Sequence, residues 1–453
     1  MAGPAGLALR LSSRIFIPTV LFPAPRLPMD LSLDHDAWAL AQDAADPLAR
    51  FRSQFHIPRH DGREMHYFVG NSLGLQPLGA ATAITEELQR WAEIAVEGHF
   101  RGERPWMHYH ATLREPMARV VGALPSEVVV MNSLTANLHL LMASFYRPSR
   151  ERPAILIEAG AFPSDRHAVE SQIRFHGFDP ARDLIELEAD LPNGLISLEA
   201  IERVLAEQGE RIALVLWPGV QYRTGQAFDL AAITRLAKAR GCTVGFDLAH
   251  AAGNLELALH DSGADFAAWC TYKYLNSGPG AVAAAFVHER HANRPELPRL
   301  AGWWGHRPET RFLMGPAFEP APGADGWQLS NPPVLAMAPI RASLELFDAA
   351  TLPALRRKSV ALTGYLEALV KTHLADCIEV LTPADPAQRG AQLSLRVTGG
   401  RERGRALFEH LAARGVLGDW REPDVIRISP APLYNRFTDV LAFARAVRDW
   451  HPA

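Results

Sequence analysis

The 453 residues are 48% hydrophobic and 21% charged, the balance of an ordinary soluble globular chain rather than a disordered, collagenous or coiled-coil one. The 46 basic and 50 acidic side chains leave a net charge of −4, too even for a nucleic-acid groove or a membrane-binding face, so small molecules are the default partners. Cys242, Cys270 and Cys377 form no CxxC pair, which excludes a disulfide-stapled scaffold and a zinc motif, leaves no metal site expected, and suits a reducing cytosol.

Residues 1–28 hold Arg10, Arg14 and Arg26, with no acidic residue before Asp30. The apolar run Ile15–Phe22 is broken by Pro18 and is too short to span a bilayer. The segment reads as an over-extended start, preferred over an organelle transit segment, with Met29-Asp30-Leu31-Ser32 as the natural beginning and the cytoplasm as the expected location. A helical pattern follows over Asp34–Ala45.

From about residue 120, short apolar runs alternate with amphipathic stretches, which predicts a parallel sheet with helices on both faces. The predicted strands are Val128–Met131, Ala154–Glu158, Ile212–Trp217, Thr243–Asp247, Phe266–Trp269 and Val282–Val287, continuous apolar runs suited to burial on both faces. Helical spacing marks Ala136–Phe145, Asp165–Phe175, Leu198–Gln208 and Leu230–Arg240, the last stopped by Gly241. After Gly302 a long irregular connection carries Trp303-Trp304-Gly305-His306 and a Pro/Gly-rich stretch over 316–326; loops of this length are often functional. A helical segment from Val334 to Ala375 leads into a second α/β pattern: strand Gln392–Val397, helix Gly404–Arg414, strand Val425–Ser429 and a last helix to Trp450. The expected division is a segment 29–70 joining the small domain, a large cofactor-binding domain 71–335, and a connecting helix with a small C-terminal domain over 336–453.

The chemistry gathers at strand ends. The run Thr243–Asp247 delivers a carboxylate at its C-terminal end, where ligands bind in open α/β sheets, and His250 follows three residues later. The next strand, Phe266–Trp269, is followed by Thr271-Tyr272-Lys273-Tyr274 and a glycine turn. A lysine there can be desolvated and made ready for a Schiff base. Singly these are weak signals, since a strand-end aspartate is also a cap and a loop lysine also surface decoration. Their order is what a pyridoxal-phosphate site requires, with Lys273 for the aldehyde and Asp247 for the pyridinium nitrogen. Upstream, Asn132-Ser133-Leu134-Thr135 opens a helix, where N–H groups and hydroxyls suit an anion or simply cap the helix. No Walker or dinucleotide glycine motif is present, which argues against nucleoside-triphosphate and nicotinamide chemistry.

With these phrases assembled, the chain resembles the kynureninase family of fold type I pyridoxal-phosphate enzymes. The resemblance runs from about residue 30 to 450 and rests on Tyr67–Gln76, Met131–His139, Phe162–Asp165, Trp217–Gln226, Phe246–His250, Tyr272–Asn276, Gly302–His306, Ser330–Pro333 and Arg427–Pro432. It implies a large, mainly parallel α/β domain, a smaller C-terminal α/β domain, and a homodimer with shared active sites. It also implies hydrolytic Cβ–Cγ cleavage of L-kynurenine to anthranilate and L-alanine, with 3-hydroxykynurenine a further substrate, in tryptophan catabolism or NAD precursor supply. By the same resemblance Lys273 carries the cofactor and shuttles the α-proton, Asp247 binds the pyridinium nitrogen, and His250 lies near the ring and Asp247. Phe162 stacks on the ring and Asp165 hydrogen-bonds to it. The phosphate is held by Leu134, Thr135 and Tyr272, with Trp303 and Asn331 from the neighbouring subunit; Tyr272 also relays a proton. Ser72, His99, Asn331 and Arg427 surround the substrate, Arg427 taking its carboxylate through a bidentate fork. Pro218 stands where some members have a serine, and proline cannot donate a hydrogen bond. The rivals are a cysteine desulfurase, weak because no cysteine sits in an accessible loop, an aminotransferase, and a non-catalytic cofactor binder.

Overall fold

The structure, a computed structural model, describes residues 31–450. The expected extension 1–28 and start at Met29 lie outside the described residues. A seven-stranded sheet forms the centre: β1 (Val128–Val130), β2 (Ala154–Glu158), β3 (Leu184–Leu187), β4 (Ile212–Pro218), β5 (Thr243–Asp247), β6 (Phe266–Trp269) and β7 (Ala284–Val287). Their spatial order is β1-β7-β6-β5-β4-β2-β3. Strands β2 to β6 run parallel to one another, while β7 is antiparallel to both β6 and β1. The sheet is mainly parallel, as expected, with β7 the antiparallel strand. The reason is local: no helix separates β6 from β7, and without a crossover the chain can only return antiparallel.

Both faces of the sheet are covered, one by the cluster containing Leu113, Met117, Ile233 and Phe347, the other by Leu138, Leu141, Val169 and Ile173. The two faces account for strands that read as unbroken apolar runs. The long C-terminal helical segment is divided into Val334–Ala350 and Leu352–Leu369. Thr351 adopts a left-handed φ of 64° and Pro353 opens the second helix, a break that suits proline in a first turn.

A second sheet of four antiparallel strands follows: β8 (Ile378–Val380), β9 (Leu393–Val397), β10 (Asp419–Arg421) and β11 (Val425–Ile428), in the order β8-β9-β11-β10. Helices Arg401–Ala413 and Phe437–Arg448 pack on it, and Leu33, Ala39 and Phe68 from the N-terminal segment share its core with Leu362, Leu407 and Val440. Among the described residues no helix is long and apolar enough to cross a membrane.

Candidate active site

The C-terminal ends of β2, β4, β5 and β6 open on a cavity of about 360 Å³ that also reaches β10 and β11. Asp247 ends β5, and its Oδ1 accepts the Ala249 amide at 2.6 Å. This turn sends the chain back so that His250 faces the cavity, both side chains being buried. Lys273 sits on the β6–β7 connection with its Nζ 3.0 Å from His250 Nε2 and 5.9 Å from the centre of the Phe162 ring. Burial, then the nearby charges of Lys273, Arg427 and Arg421, hold His250 well below the usual histidine range. The neutral imidazole thus accepts the lysine N–H.

Gly74 brings a second loop onto this one. Its N–H donates to the Tyr272 carbonyl at 2.8 Å, and a Cβ at this position would lie 2.4 Å from the Lys273 carbonyl oxygen. Only glycine permits that approach, and it carries Asn71 and Ser72 to the cavity wall.

At the other end two helices begin side by side. Ser133, Leu134 and Thr135 lead into helix Leu134–Phe145, and Phe162 and Ser164 into helix Pro163–Phe175; Thr135 Oγ1 and Ser164 Oγ are 2.8 Å apart. First-turn N–H groups have no acceptor within their own helix and the dipole favours negative charge there, so this end suits a phosphate.

Glu158, Asp165 and Asp247 share the intervening wall. Burial, opposed by a backbone hydrogen bond and reinforced by the charges of Asp247 and Glu186, pushes Glu158 up to about 8. Burial, then the charge and hydrogen bond of Asp247, pushes Asp165 well up. Glu158 is therefore held largely protonated near pH 7, and Asp165 is pushed toward its neutral form. Burial, followed by contact with Cys270 and the charge of Asp247, likewise pushes the Tyr272 phenol up, so it keeps its proton.

Arg427, fully buried on β11, closes the far end. It donates to the Tyr222 carbonyl at 2.8 Å and to Asp419 Oδ2 at 2.6 Å. The first contact ties the C-terminal sheet to the loop after β4, as does Gln392 Nε2 to the Tyr222 carbonyl at 3.0 Å, while Asn71 Nδ2 donates to Gln392 Oε1 at 3.0 Å and joins the Asn71 loop to the same point.

Ser72, Leu134, Thr135, Phe162, Asp165, Pro218, Asp247, His250, Tyr272, Lys273 and Arg427 all line this one cavity. His99, Trp303 and Asn331 do not line it within the same chain. His99 packs edge-on against Trp106 at 5.3 Å, Trp303 is 43% exposed with its Nε1 bonded to the Arg311 carbonyl, and Asn331 is exposed. Sequence reasoning missed Asn71, Glu158, Ser164, Tyr222 and Arg421, which also line the cavity. Glu158 was available from the same signal as Asp247, a carboxylate ending a predicted apolar strand. Arg421 lies on a three-residue polar strand with no apolar run to mark it.

The donor set fits pyridoxal phosphate: paired helix starts for the phosphate, the Phe162 ring for stacking, the Asp247 carboxylate for the ring nitrogen and Lys273 for the aldehyde. The fold agrees. A C-DES mutant with glycine covalently linked to its pyridoxal-phosphate cofactor aligns with a TM-score of 0.71 at 18% identity, covering 85% of this chain and 97% of that one. An apo cysteine desulfurase from Thermococcus onnurineus NA1 aligns with a TM-score of 0.66 at 17% identity, covering 85% and 94%. Fold and site together define a fold type I pyridoxal-phosphate enzyme.

Thiol chemistry has no place in this site: the three cysteines are free, none lines the cavity, and burial raises all three thiols. A family profile for the kynureninase C-terminal domain matches residues 355–447. Kynureninase from Stenotrophomonas maltophilia strain K279a is 66% identical over 91% of this chain and 97% of its own length. That from Xanthomonas euvesicatoria pv. vesicatoria strain 85-10 is 65% identical over 92% and 98%. The chain belongs to the kynureninase family.

Proposed function

We propose that this cavity cleaves L-kynurenine hydrolytically between Cβ and Cγ, releasing anthranilate and L-alanine. The observation that carries the reading is the 66% identity to a kynureninase over nearly its whole length, and the cavity supplies the groups the reaction needs. When bound, pyridoxal phosphate supplies an electron sink for the substrate α-carbon. Lys273 Nζ would hold the cofactor through its aldehyde and, when free, would take the α-proton of the substrate. His250, neutral and 3.0 Å away, accepts a hydrogen bond from that amine and fixes its direction. Asp247 would keep the ring nitrogen protonated, Asp165 would hydrogen-bond beside it, and Leu134, Thr135 and Tyr272 would receive the phosphate. Arg427 binds the substrate carboxylate, leaving the γ-carbonyl open to water. Tyr272, buried and holding its proton, would hand on the proton that Cβ of the alanine fragment requires. Ser72 faces the substrate, and 3-hydroxykynurenine is a second substrate.

Trp303 and Asn331 reach a cofactor only in a neighbouring copy, as does His99 a substrate, so the working form is a homodimer with shared sites. The apolar surface around Trp303 supports this: Phe312, Leu313 and Met314 are 51%, 74% and 72% exposed, and exposed apolar surface of this kind marks interfaces. In this reading the cofactor-binding domain takes in residues 71–335 and the helix Val334–Ala350, whose Met337, Ile340 and Phe347 join its core; the smaller domain is built from Leu362 onward with Leu33, Ala39 and Phe68, and the enzyme works in the cytoplasm.

The test is addition of L-kynurenine to cofactor-loaded protein, following anthranilate fluorescence and quantifying alanine. Equimolar release of both by the wild type, abolished in Lys273→Ala, is the expected outcome. Amino transfer to a 2-oxo acid, or bound cofactor with no product, would overturn it.

A further inference from the structure

Residues Asp419 and Arg421 stand two apart on β10, so their side chains share one face. The register sets Asp419 directly opposite Arg427 of β11 and Arg421 opposite Val425. Arg421 and Arg427 therefore project from the same face of the sheet, and both line the cavity. Asp419 lies between them: its Oδ1 is 3.1 Å from Arg421 Nε, and its Oδ2 is 3.1 Å from Arg421 Nη2 and 2.6 Å from Arg427 Nη2.

Arg427 is less available to a ligand than its position suggests. Both terminal nitrogens already have protein acceptors, Tyr222 O and Asp419, and the residue is 0% exposed. Arg421 keeps a side chain that is 32% exposed and uses its Nε and Nη2 on Asp419. Of the four terminal guanidinium nitrogens, Arg421 Nη1 is the one with no hydrogen bond to protein among the described residues.

We infer that Arg421 is a second carboxylate-recognition residue, binding the α-carboxylate of the amino-acid substrate together with Arg427, and that Asp419 is the positioning residue that holds both guanidiniums at the cavity. This rests on the reading of the cavity as the site of kynurenine cleavage. One carboxylate from the protein and one from the substrate match two cations, so the bound pair leaves no unbalanced charge in a closed space. The fixed fork of arginine suits this geometry better than the single ammonium of lysine.

The experiment uses cofactor-loaded enzyme and two probes: L-kynurenine as substrate, and its decarboxylated amine, the same aryl ketone without the carboxylate, as a competitive inhibitor. Removing one charge-assisted contact in Arg421→Gln should raise KM for L-kynurenine about 10- to 100-fold with little change in kcat. The inhibition constant of the decarboxylated amine should stay within about twofold of wild type, since that ligand never used the contact. Arg421→Lys should recover part of the loss, and Asp419→Asn should weaken L-kynurenine but not the amine. An unchanged KM in both Arg421 variants, or a parallel rise in KM and in the inhibition constant of the amine, would overturn the inference while leaving the reaction standing. A wild-type protein with cofactor bound that releases no anthranilate would overturn the functional reading and this inference with it.

Discussion

Three carboxyl groups meet in the cavity wall, and their surroundings set them apart. Asp247 accepts the Ala249 amide, whereas Glu158 and Asp165 are pushed toward the neutral form by burial and by the Asp247 charge. For Glu158 the consequence for stability has a definite sign. Its carboxyl is raised from 4.5 to about 8, so the native state binds more protons than the unfolded chain between those values and loses stability as pH rises through that window. Glu158→Gln, which cannot ionise, should match wild type near pH 5 and become progressively more stable than wild type up to pH 8, the gap levelling above. Urea unfolding of the cofactor-free proteins at several pH values measures it, and parallel pH profiles would count against the assignment. Asp247 and Lys273 were legible from the sequence because each follows an unbroken apolar strand. The state of Glu158 was not, because it is set first by burial and then by the charges of Asp247 and Glu186, residues distant in sequence.

At the scale of elements, the strands read most securely are those buried on both faces. Ala154–Glu158, Thr243–Asp247 and Phe266–Trp269 appear with the bounds their apolar runs predict. Leu184–Leu187, Ile378–Val380 and Asp419–Arg421 were not assigned, since each is a short edge strand with mixed burial, and an edge exposed on one side carries no continuous apolar signal. The start of β6 is secured by charge. Asp265 is 3% exposed and binds Lys238, Arg290 Nη2 at 3.0 Å, His291 Nε2 at 2.9 Å and the Val244 amide at 2.8 Å, joining helix Leu230–Lys238 to β5, β6 and the turn after β7. Burial pushes this carboxyl up, but the bonds from His291 and Lys238 outweigh it and hold it far below the usual range. Its contribution is present above the ordinary carboxylate range and fades only in strong acid. Asp265→Asn takes a buried carboxylate away from His291 and from the exposed Lys238 and Arg290, and should cost about 1–3 kcal/mol of unfolding free energy at pH 7. Urea unfolding reads that loss, and an unchanged cofactor titration of the folded protein would show that the site itself is untouched.

At the scale of the whole molecule, the cavity is complete for one chain except where Trp303, Asn331 and His99 are concerned. If they complete a neighbour's site, dilution through the dimer–monomer range should release cofactor, and Trp303→Ala should release it at higher protein concentration. Sedimentation paired with cofactor absorbance tests both, and retention independent of concentration would contradict a shared site. The sequence by itself determined the mainly parallel α/β architecture, the order of aspartate, histidine and lysine along the strand ends, and the family, because buried strands and site phrases are written locally as apolar runs and short motifs. Only the tertiary structure decided that β7 runs antiparallel, that the Lys273 amine points at a neutral His250, that Glu158 keeps its proton, and that Asp419 sets Arg421 beside Arg427. Each of these depends on groups far apart in the chain, whose distance and desolvation exist only once the two sheets have closed around the cavity.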